Sequence, residues 1–309
     1  MMRIKIVVTD KVDPILVNNL KGSGFDVDYF PEITHEDLLK IAVDYNAIVV
    51  RSRTRVTSDL IKRSSNLKLV ARAGVGLDGI ALDDLKAANI SVLSAPEAST
   101  ESVAELTIGM MICAARNIRN LSLETRKMKF RKEAGIELRG KILGIIGLGR
   151  IGFRVAQVAK TFGMHIVYYD LFPNNERAME VDARLLEIKE LVAVSDFIGI
   201  FVTVKKGDRP ILGRDELDRI KRGAIITNTS RASVIDGAYL LSMLKTGRVA
   251  FYSADVLMDE PPKEAWEREL ISLDNVMITP HIGAQTAEAQ RAIAVSISEK
   301  IIDFFGGSK

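Results

Sequence analysis

The chain has 309 residues, enough for two domains of ordinary size, with a hydrophobic share of 47% and a charged share of 27% that fit a globular protein. A net charge of +3, with Lys and Arg dispersed among acids, does not mark a nucleic-acid binder, and the single cysteine, Cys113, excludes an intrachain disulfide and reads as a small core residue. No segment reaches the ~18 apolar residues of a membrane span and the amino terminus has no charged-then-apolar signal, so the expected location is the cytoplasm, with neither membrane nor nucleic acid as partner.

Apolar strands alternate with amphipathic helices from the start. Strands are expected at Ile4 to Val8, Asp26 to Phe30, Ala47 to Arg51, Leu69 to Arg72 and Ser91 to Leu93. Helices fall between them: one opened by Asp13-Pro14, one at Ser58 to Ser64 and one near Leu82 to Ala87. A long apolar helix, Thr100 to Ala115, and a more polar one, Leu121 to Phe130, follow. Strands then recur at Lys141 to Ile146, His165 to Tyr169, Phe197 to Val202, Ala224 to Asn228, Val249 to Ala254 and Val276 to Thr279. Helices are expected at Asp182 to Val194, Arg214 to Ile220 and Gly237 to Thr246, and a last one at Ala284 to Phe304. Such alternation is the signature of doubly wound parallel sheets. The reading is two α/β domains: a Rossmann domain, residues 99–280, inserted into a flavodoxin-like substrate domain, residues 1–98 and 281–309. The last helix then returns to the first domain.

The most informative stretch is Gly144 to Asp170. A strand runs into Gly147-Leu148-Gly149-Arg150-Ile151-Gly152, a helix follows, and the next strand ends on Asp170. Gly147 permits a tight turn, Gly149 lets the backbone approach a pyrophosphate, and Gly152 lets the helix pack on the strand. The helix amino end offers unpaired N–H groups to phosphate. Asp170 stands where an acid accepts from an adenosine ribose 2′-hydroxyl and repels a 2′-phosphate, and no Arg follows it directly, so NAD is favoured over NADP.

Four strand ends carry further polar groups, and open α/β sheets bind ligands at such ends. Arg51-Ser52-Arg53-Thr54-Arg55 is a cationic loop suited to a carboxylate or phosphate. Gly74-Val75-Gly76 exposes backbone N–H groups to an anion. Asn228-Thr229-Ser230-Arg231 supplies an arginine that clamps a carboxylate, and Thr279-Pro280-His281 a histidine that exchanges a proton near neutrality. The other two histidines, His35 and His165, read as structural. Asp255, Asp259 and Glu260 each offer the acid that a catalytic histidine needs, and spacing does not choose among them. No metal set is expected.

The motifs G-L-G-R-I-G, N-T-S-R-A-S-V-I-D, A-D-V-x-x-x-E-P and P-H-I-G-A-Q-T, in this order, resemble those of the D-isomer-specific 2-hydroxyacid dehydrogenases. The resemblance implies a catalytic trio of Arg231, Glu260 and His281. It implies a cofactor site of Gly147, Gly149, Arg150, Ile151, Gly152, Asp170, Thr229, Ser230, Asp255, His281 and Gly283, with Asp255 on the nicotinamide carboxamide. Within the family R-S-R-T-R-V-T and A-R-A-G-V-G-L-D-G-I look most like the D-3-phosphoglycerate dehydrogenase branch. That places Arg51, Arg53, Gly74, Val75, Gly76, Arg231 and His281 on a small 2-hydroxyacid or 2-oxoacid, and implies NAD-dependent oxidation of 3-phospho-D-glycerate. The chain departs from the family at Ser230, Ala232 and Ser233, at Phe201-Val202-Thr203 and at Ser99, none of them a catalytic group. The resemblance also implies a homodimer through the helix region of residues 100–117, and no regulatory domain beyond the last helix. Glyoxylate/hydroxypyruvate reductase and D-lactate dehydrogenase share the mechanism and are the nearest alternatives. A non-enzymatic NAD-sensing corepressor is the alternative of another class.

Overall fold

The computed structural model describes residues 3–204 and 207–306. The chain divides into two units, Met1–Thr100 with Ala284–Lys309, and Glu101–Gly283. The boundaries expected at 98/99 and 280/281 thus fall at 100/101 and 283/284, which moves His281 into the second unit. The reason is local: buried Asp255 accepts the N–H groups of Ile282 and Gly283 at 2.8 and 2.7 Å.

The first unit has five parallel strands, β1 (Lys5–Val8), β2 (Asp26–Tyr29), β3 (Ala47–Val50), β4 (Leu69–Arg72) and β5 (Ser91–Leu93), in the order β2-β1-β3-β4-β5. This is the flavodoxin-like order. Central β3 reads Ala-Ile-Val-Val, buried throughout, because helices cover both faces of a parallel sheet and leave no polar side. The helix Pro14–Gly22 starts where Asp13 accepts the Ile15 N–H at 2.9 Å and proline fills the first turn. The helix Ala287–Gly306 sets Ile293, Ile297 and Ile301, four residues apart, against Ile6, Val8, Leu16 and Leu20. Burial of each such isoleucine stabilises the unit by roughly 2 kcal/mol.

The second unit has seven parallel strands: β6 (Ile142–Ile146), β7 (His165–Tyr169), β8 (Arg184–Leu185), β9 (Phe197–Ile200), β10 (Ala224–Asn228), β11 (Val249–Ala254) and β12 (Val276–Ile278). Their order is β12-β11-β10-β9-β6-β7-β8, a Rossmann sheet whose direction of winding reverses between β6 and β9. Ladder partners set one row across it, Tyr169–Ile146–Ile200–Asn228–Ala254–Ile278, which fixes a common carboxyl edge.

Several expected elements are corrected. The helix expected over Asp182 to Val194 is a turn at Asp182 (φ +49°), then β8, then the shorter helix Ile188–Val194. A left-handed residue breaks a helix, and Leu185 pairs with Tyr168 instead. The polar helix spans Ile118–Arg126, with Met128 at φ +59° just beyond its end. The last helix opens at Ala287, where the Thr286 hydroxyl accepts the Ala289 N–H at 3.1 Å. Helices Asn175–Glu180 and Ala265–Ser272 are additional to the expected set. In the helix Thr100–Ala115, Ala104, Ile108, Met111, Ala114 and Ala115 fill the second unit's own core. No helix among the described residues is long and apolar enough to cross a membrane.

Candidate active site

Every sequence-derived group of the second unit lies just past the row that ends its strands. Gly147 follows β6, Asp170 follows β7, Thr229 to Arg231 follow β10, Asp255 follows β11, and Thr279 to His281 follow β12. A parallel sheet forces this: its strands all end on one edge, so loops far apart in sequence open side by side.

The glycine loop has the shape a dinucleotide needs. Gly147 sits at φ +95°. A Cβ on Gly152 would lie 2.1 Å from the Gly147 carbonyl, so only glycine lets the helix Arg150–Thr161 start this close to the strand. A Cβ on Gly149 would meet nothing within 4 Å, so here glycine keeps clear a space that the protein does not fill. That open cradle beside a helix amino end fits a pyrophosphate. Asp170 Oδ2 accepts the Leu148 N–H at 2.8 Å and Oδ1 the Phe172 N–H at 2.9 Å. The acid therefore holds the glycine turn, and each oxygen keeps a further acceptor site for a ribose hydroxyl.

His281 and Glu260 are brought together. His281 Nδ1 lies 3.1 and 3.2 Å from the two Glu260 oxygens. Both side chains are about half exposed. With Nδ1–H donating to the carboxylate, Nε2 of a neutral His281 is left as the acceptor for a substrate proton. Of the three acids the sequence left open, Glu260 is thus the one paired with the histidine. Asp255 does something else: 2% exposed, it takes the Thr279 hydroxyl at 2.5 Å as well as the Ile282 and Gly283 N–H groups. It holds the turn on which His281 sits at φ +55°. A non-glycine residue in that region costs about 1–2 kcal/mol, and three donors to one buried carboxylate offset it.

Arg231 is extended, at φ −141°, and its Nη1 donates to the Ser230 carbonyl at 2.7 Å. Buried Asn228 sets the loop, accepting from the N–H and hydroxyl of Ser230 and donating to the Arg231 carbonyl at 2.8 Å. Thr229 bonds the hydroxyl of Thr107 at 3.0 Å. Next to this edge, a cavity of about 390 Å³ lined by Leu257, Pro261, Pro262, Ile271 and Ile278 adjoins Glu260. A larger one, about 670 Å³, touches Gly223, Ala250 and Asn275 at the opposite strand ends and is remote from these groups.

The arginine loop and the Gly74–Gly76 turn lie in the first unit. Asp10, 2% exposed just past β1, organises the loop. It accepts the Thr54 hydroxyl at 2.6 Å, the N–H groups of Arg51 and Thr54, and an ion pair from Arg53 at 3.2 Å. Arg53 also donates to the carbonyls of Thr9 and Ile33, so much of its guanidinium braces the loop. Arg51 Nη1 donates to the Lys11 carbonyl at 3.1 Å, and partial burial lowers its pKa from the ordinary value against the pull of Asp10. Arg72 Nε holds the Gly76 carbonyl at 2.9 Å. Asp10 was readable in principle, as an acid ending an apolar strand like Asp170. Asn228 was readable as a polar residue ending a strand, but not the groups of Ser230 and Arg231 that it holds.

Glycine turn, acid at the following strand end and histidine–acid pair on one Rossmann edge define an NAD-binding protein equipped for proton exchange. Residues 108–283 match the family profile described as "D-isomer specific 2-hydroxyacid dehydrogenase, NAD binding domain". The chain is 42% identical to a D-3-phosphoglycerate dehydrogenase of Methanocaldococcus jannaschii, over 96% of this chain and 57% of that one. It is 39% identical to a hydroxypyruvate reductase of Thermotoga maritima, over 99% of this chain and 100% of that one. A D-lactate dehydrogenase from Aquifex aeolicus, solved with NAD and lactic acid, superposes with a TM-score of 0.85 at 26% identity, covering 98% of this chain and 96% of that one. The chain therefore belongs to the D-isomer-specific 2-hydroxyacid dehydrogenase family, whose cofactor is NAD. It spans under three fifths of the length of the phosphoglycerate dehydrogenases of M. jannaschii and Archaeoglobus fulgidus.

Proposed function

We propose that the chain is an NAD-dependent dehydrogenase of a D-2-hydroxyacid, and that the acid is 3-phospho-D-glycerate, oxidised to 3-phosphohydroxypyruvate. The observation that carries the chemistry is the Glu260–His281 pair on the edge that holds the glycine turn. Bound NAD supplies the hydride acceptor. The chain's own residues do the rest. Gly147 to Gly152, with Arg150 and Ile151, hold the pyrophosphate, and Asp170 the ribose. Thr229, Ser230, Asp255 and Gly283 shape the nicotinamide side. His281 Nε2 takes the hydroxyl proton while Glu260 fixes the ring and stabilises its charged form. Arg231 binds the carboxylate and the C2 oxygen, where negative charge grows. On the first unit Arg51, Arg53 and the N–H groups of Gly74, Val75 and Gly76 act on the substrate's anionic end.

The arginine loop and the M. jannaschii relative support the phosphorylated acid. The T. maritima reductase, matched over its full length, favours a second reading, reduction of hydroxypyruvate. NADH oxidation with 3-phosphohydroxypyruvate, hydroxypyruvate, glyoxylate and pyruvate separates them, in wild type and in Arg51→Ala and Arg53→Ala. The expected result is a strong preference for the phosphorylated acid, weakened in both variants. Equal or faster turnover of hydroxypyruvate by wild type assigns the chain to the reductases.

We also propose a homodimer through the helix region of residues 100–117, next to which the chain carries exposed apolar side chains. Met128 and Phe130, 80% and 76% exposed, are the apolar surface that supports it. Light scattering of wild type and Phe130→Asp tests it: a dimer that Phe130→Asp dissociates is expected, and a monomeric wild type rejects it.

A further inference from the structure

Glu267 is an acid where the packing asks for none. It lies in the helix Ala265–Ser272 and is 1% exposed, on the face that also buries Leu270. Its Oε1 accepts the Met258 N–H at 2.8 Å, and its Oε2 is buried without a hydrogen-bond partner. An unmet buried polar oxygen costs about 1–3 kcal/mol, and a leucine would occupy such a position without that cost. What the acid provides and leucine does not is an acceptor for one backbone amide.

That amide belongs to the turn carrying Glu260. Glu260 Oε1 accepts the N–H of Leu257 at 3.3 Å, and Glu267 accepts that of Met258, so two carboxylates pin consecutive amides. Packing holds the turn poorly. Met258 is 56% exposed, and the 390 Å³ cavity opens between Leu257, Pro261 and Pro262 on one side and Ile271 and Ile278 on the other. A turn bordered by empty apolar space depends on its polar anchors. The helix behind Glu267 is fixed, because Leu270 and Trp266 pack into the sheet's core. Tyr252, 3% exposed, is also dry: burial, outweighing a hydrogen bond from Asn228 and helped by the Glu267 charge, pushes its phenol up to about 12.

We propose that Glu267 is a positioning residue for Glu260: by holding the Met258 amide it fixes the turn that keeps the Glu260 carboxylate on His281 Nδ1. The inference rests on the dehydrogenase reading of that pair. It predicts an effect on turnover that runs through Glu260 alone.

The test is steady-state NADH oxidation with 3-phosphohydroxypyruvate and with hydroxypyruvate, alongside the Kd for NADH. The variants are Glu267→Leu, Glu267→Asp, Glu267→Gln, Glu260→Gln and the double variant Glu260→Gln/Glu267→Leu. Leucine removes the acceptor, and aspartate keeps the charge but retracts it by one methylene. Both should lower kcat about tenfold or more, a part of the roughly 10²–10⁴-fold that a positioned proton-transfer group supplies. The Kd for NADH should stay within about twofold. Glutamine keeps the carbonyl acceptor and should restore most of the turnover. In the Glu260→Gln background Glu267→Leu should add nothing, since residues acting as one unit are non-additive. Wild-type kcat in both Glu267→Leu and Glu267→Asp overturns the proposal, as does a full additional loss in the double variant. Should Glu267→Leu not fold, Glu267→Asp and its double variant with Glu260→Gln decide the question. Undiminished turnover in His281→Ala would instead remove the underlying reading, an outcome separate from failure of the Glu267 series.

Discussion

His281 occupies a left-handed backbone position that a side chain of its size rarely takes, and Asp255 holds it there through three donors. Strain of this kind, fixed from outside, aims a group. His281→Ala is expected to cut turnover on the order of 10²–10⁴-fold, the worth of a positioned acid–base group, while NADH binding by fluorescence changes little. The glycines divide by a different criterion. Gly152→Ala drives a Cβ to 2.1 Å from the Gly147 carbonyl, so the thermal transition of the variant should fall. Gly149→Ala enters open space, so its thermal transition should hold while NADH affinity drops at least tenfold. Unchanged NADH affinity in Gly149→Ala, or a fall in its thermal transition as large as that of Gly152→Ala, would remove the cradle reading. His281, Arg231 and the glycines were legible because their chemistry is uncommon and their spacing fixed. Asp10 and Asn228 were visible as polar residues ending apolar strands, but not what they hold; Glu267 was not visible, because it holds a backbone amide of a loop that only the fold brings near. Asp255 was legible as an acid at a strand end, but its hold on the histidine turn was not.

The last helix is clasped to the first unit by Lys300, which donates to the Ser94 carbonyl at 2.8 Å and to Glu97 at 2.7 Å. The Lys300 hydrogen bond, opposed by partial desolvation and aided by Ser296, holds the Glu97 carboxyl at about 2 instead of the ordinary 4.5. The folded state thus favours the ionised form. Its contribution is complete above pH 4.5 and is lost as pH falls towards 2. Thermal melts of wild type and Glu97→Gln should therefore differ at pH 6 and converge near pH 2, and a constant difference would exclude the linkage. In the same unit Asp10→Ala strips Thr54 of a buried acceptor and Arg53 of its counter-ion. It should destabilise the unit by about 3 kcal/mol, read as a lower urea midpoint. Most strands were legible because buried parallel strands are short apolar runs bounded by turns. Two-residue β8 was not, since Arg184–Leu185 is exposed and only its pairing with β7 makes it a strand. Helix Ala265–Ser272 was hidden by the acids at its start, one of which, Glu267, faces inward.

Across the whole chain, the two units differ in how their sequence is assembled. The second, Glu101–Gly283, is one continuous stretch, whereas the first needs two that are 183 residues apart in sequence. A fragment of residues 101–283 should fold alone and bind NADH, because its core clusters and glycine turn lie within it. A fragment of residues 1–100 should not, since it lacks the helix that supplies Ile293, Ile297 and Ile301 to its core. Circular dichroism and NADH fluorescence of the two fragments check this. The nested architecture was legible from the alternation of strands and helices and from the position of the glycine turn. Its crossing points were not, because they depend on Asp255 drawing the histidine turn into the second unit. The same nesting sets a timetable at the ribosome. Residues 1–100 emerge first but wait for Ala287–Gly306, and at about 5–20 residues per second the 187 residues from 100 to 287 take about 10–40 s to make. For that interval the apolar face that the last helix will cover lies bare on the nascent chain, and the later-born unit, whose last residue is Gly283, is completed first. The order of maturation is the reverse of the order of synthesis, and the unfinished first unit is where a chaperone would be needed.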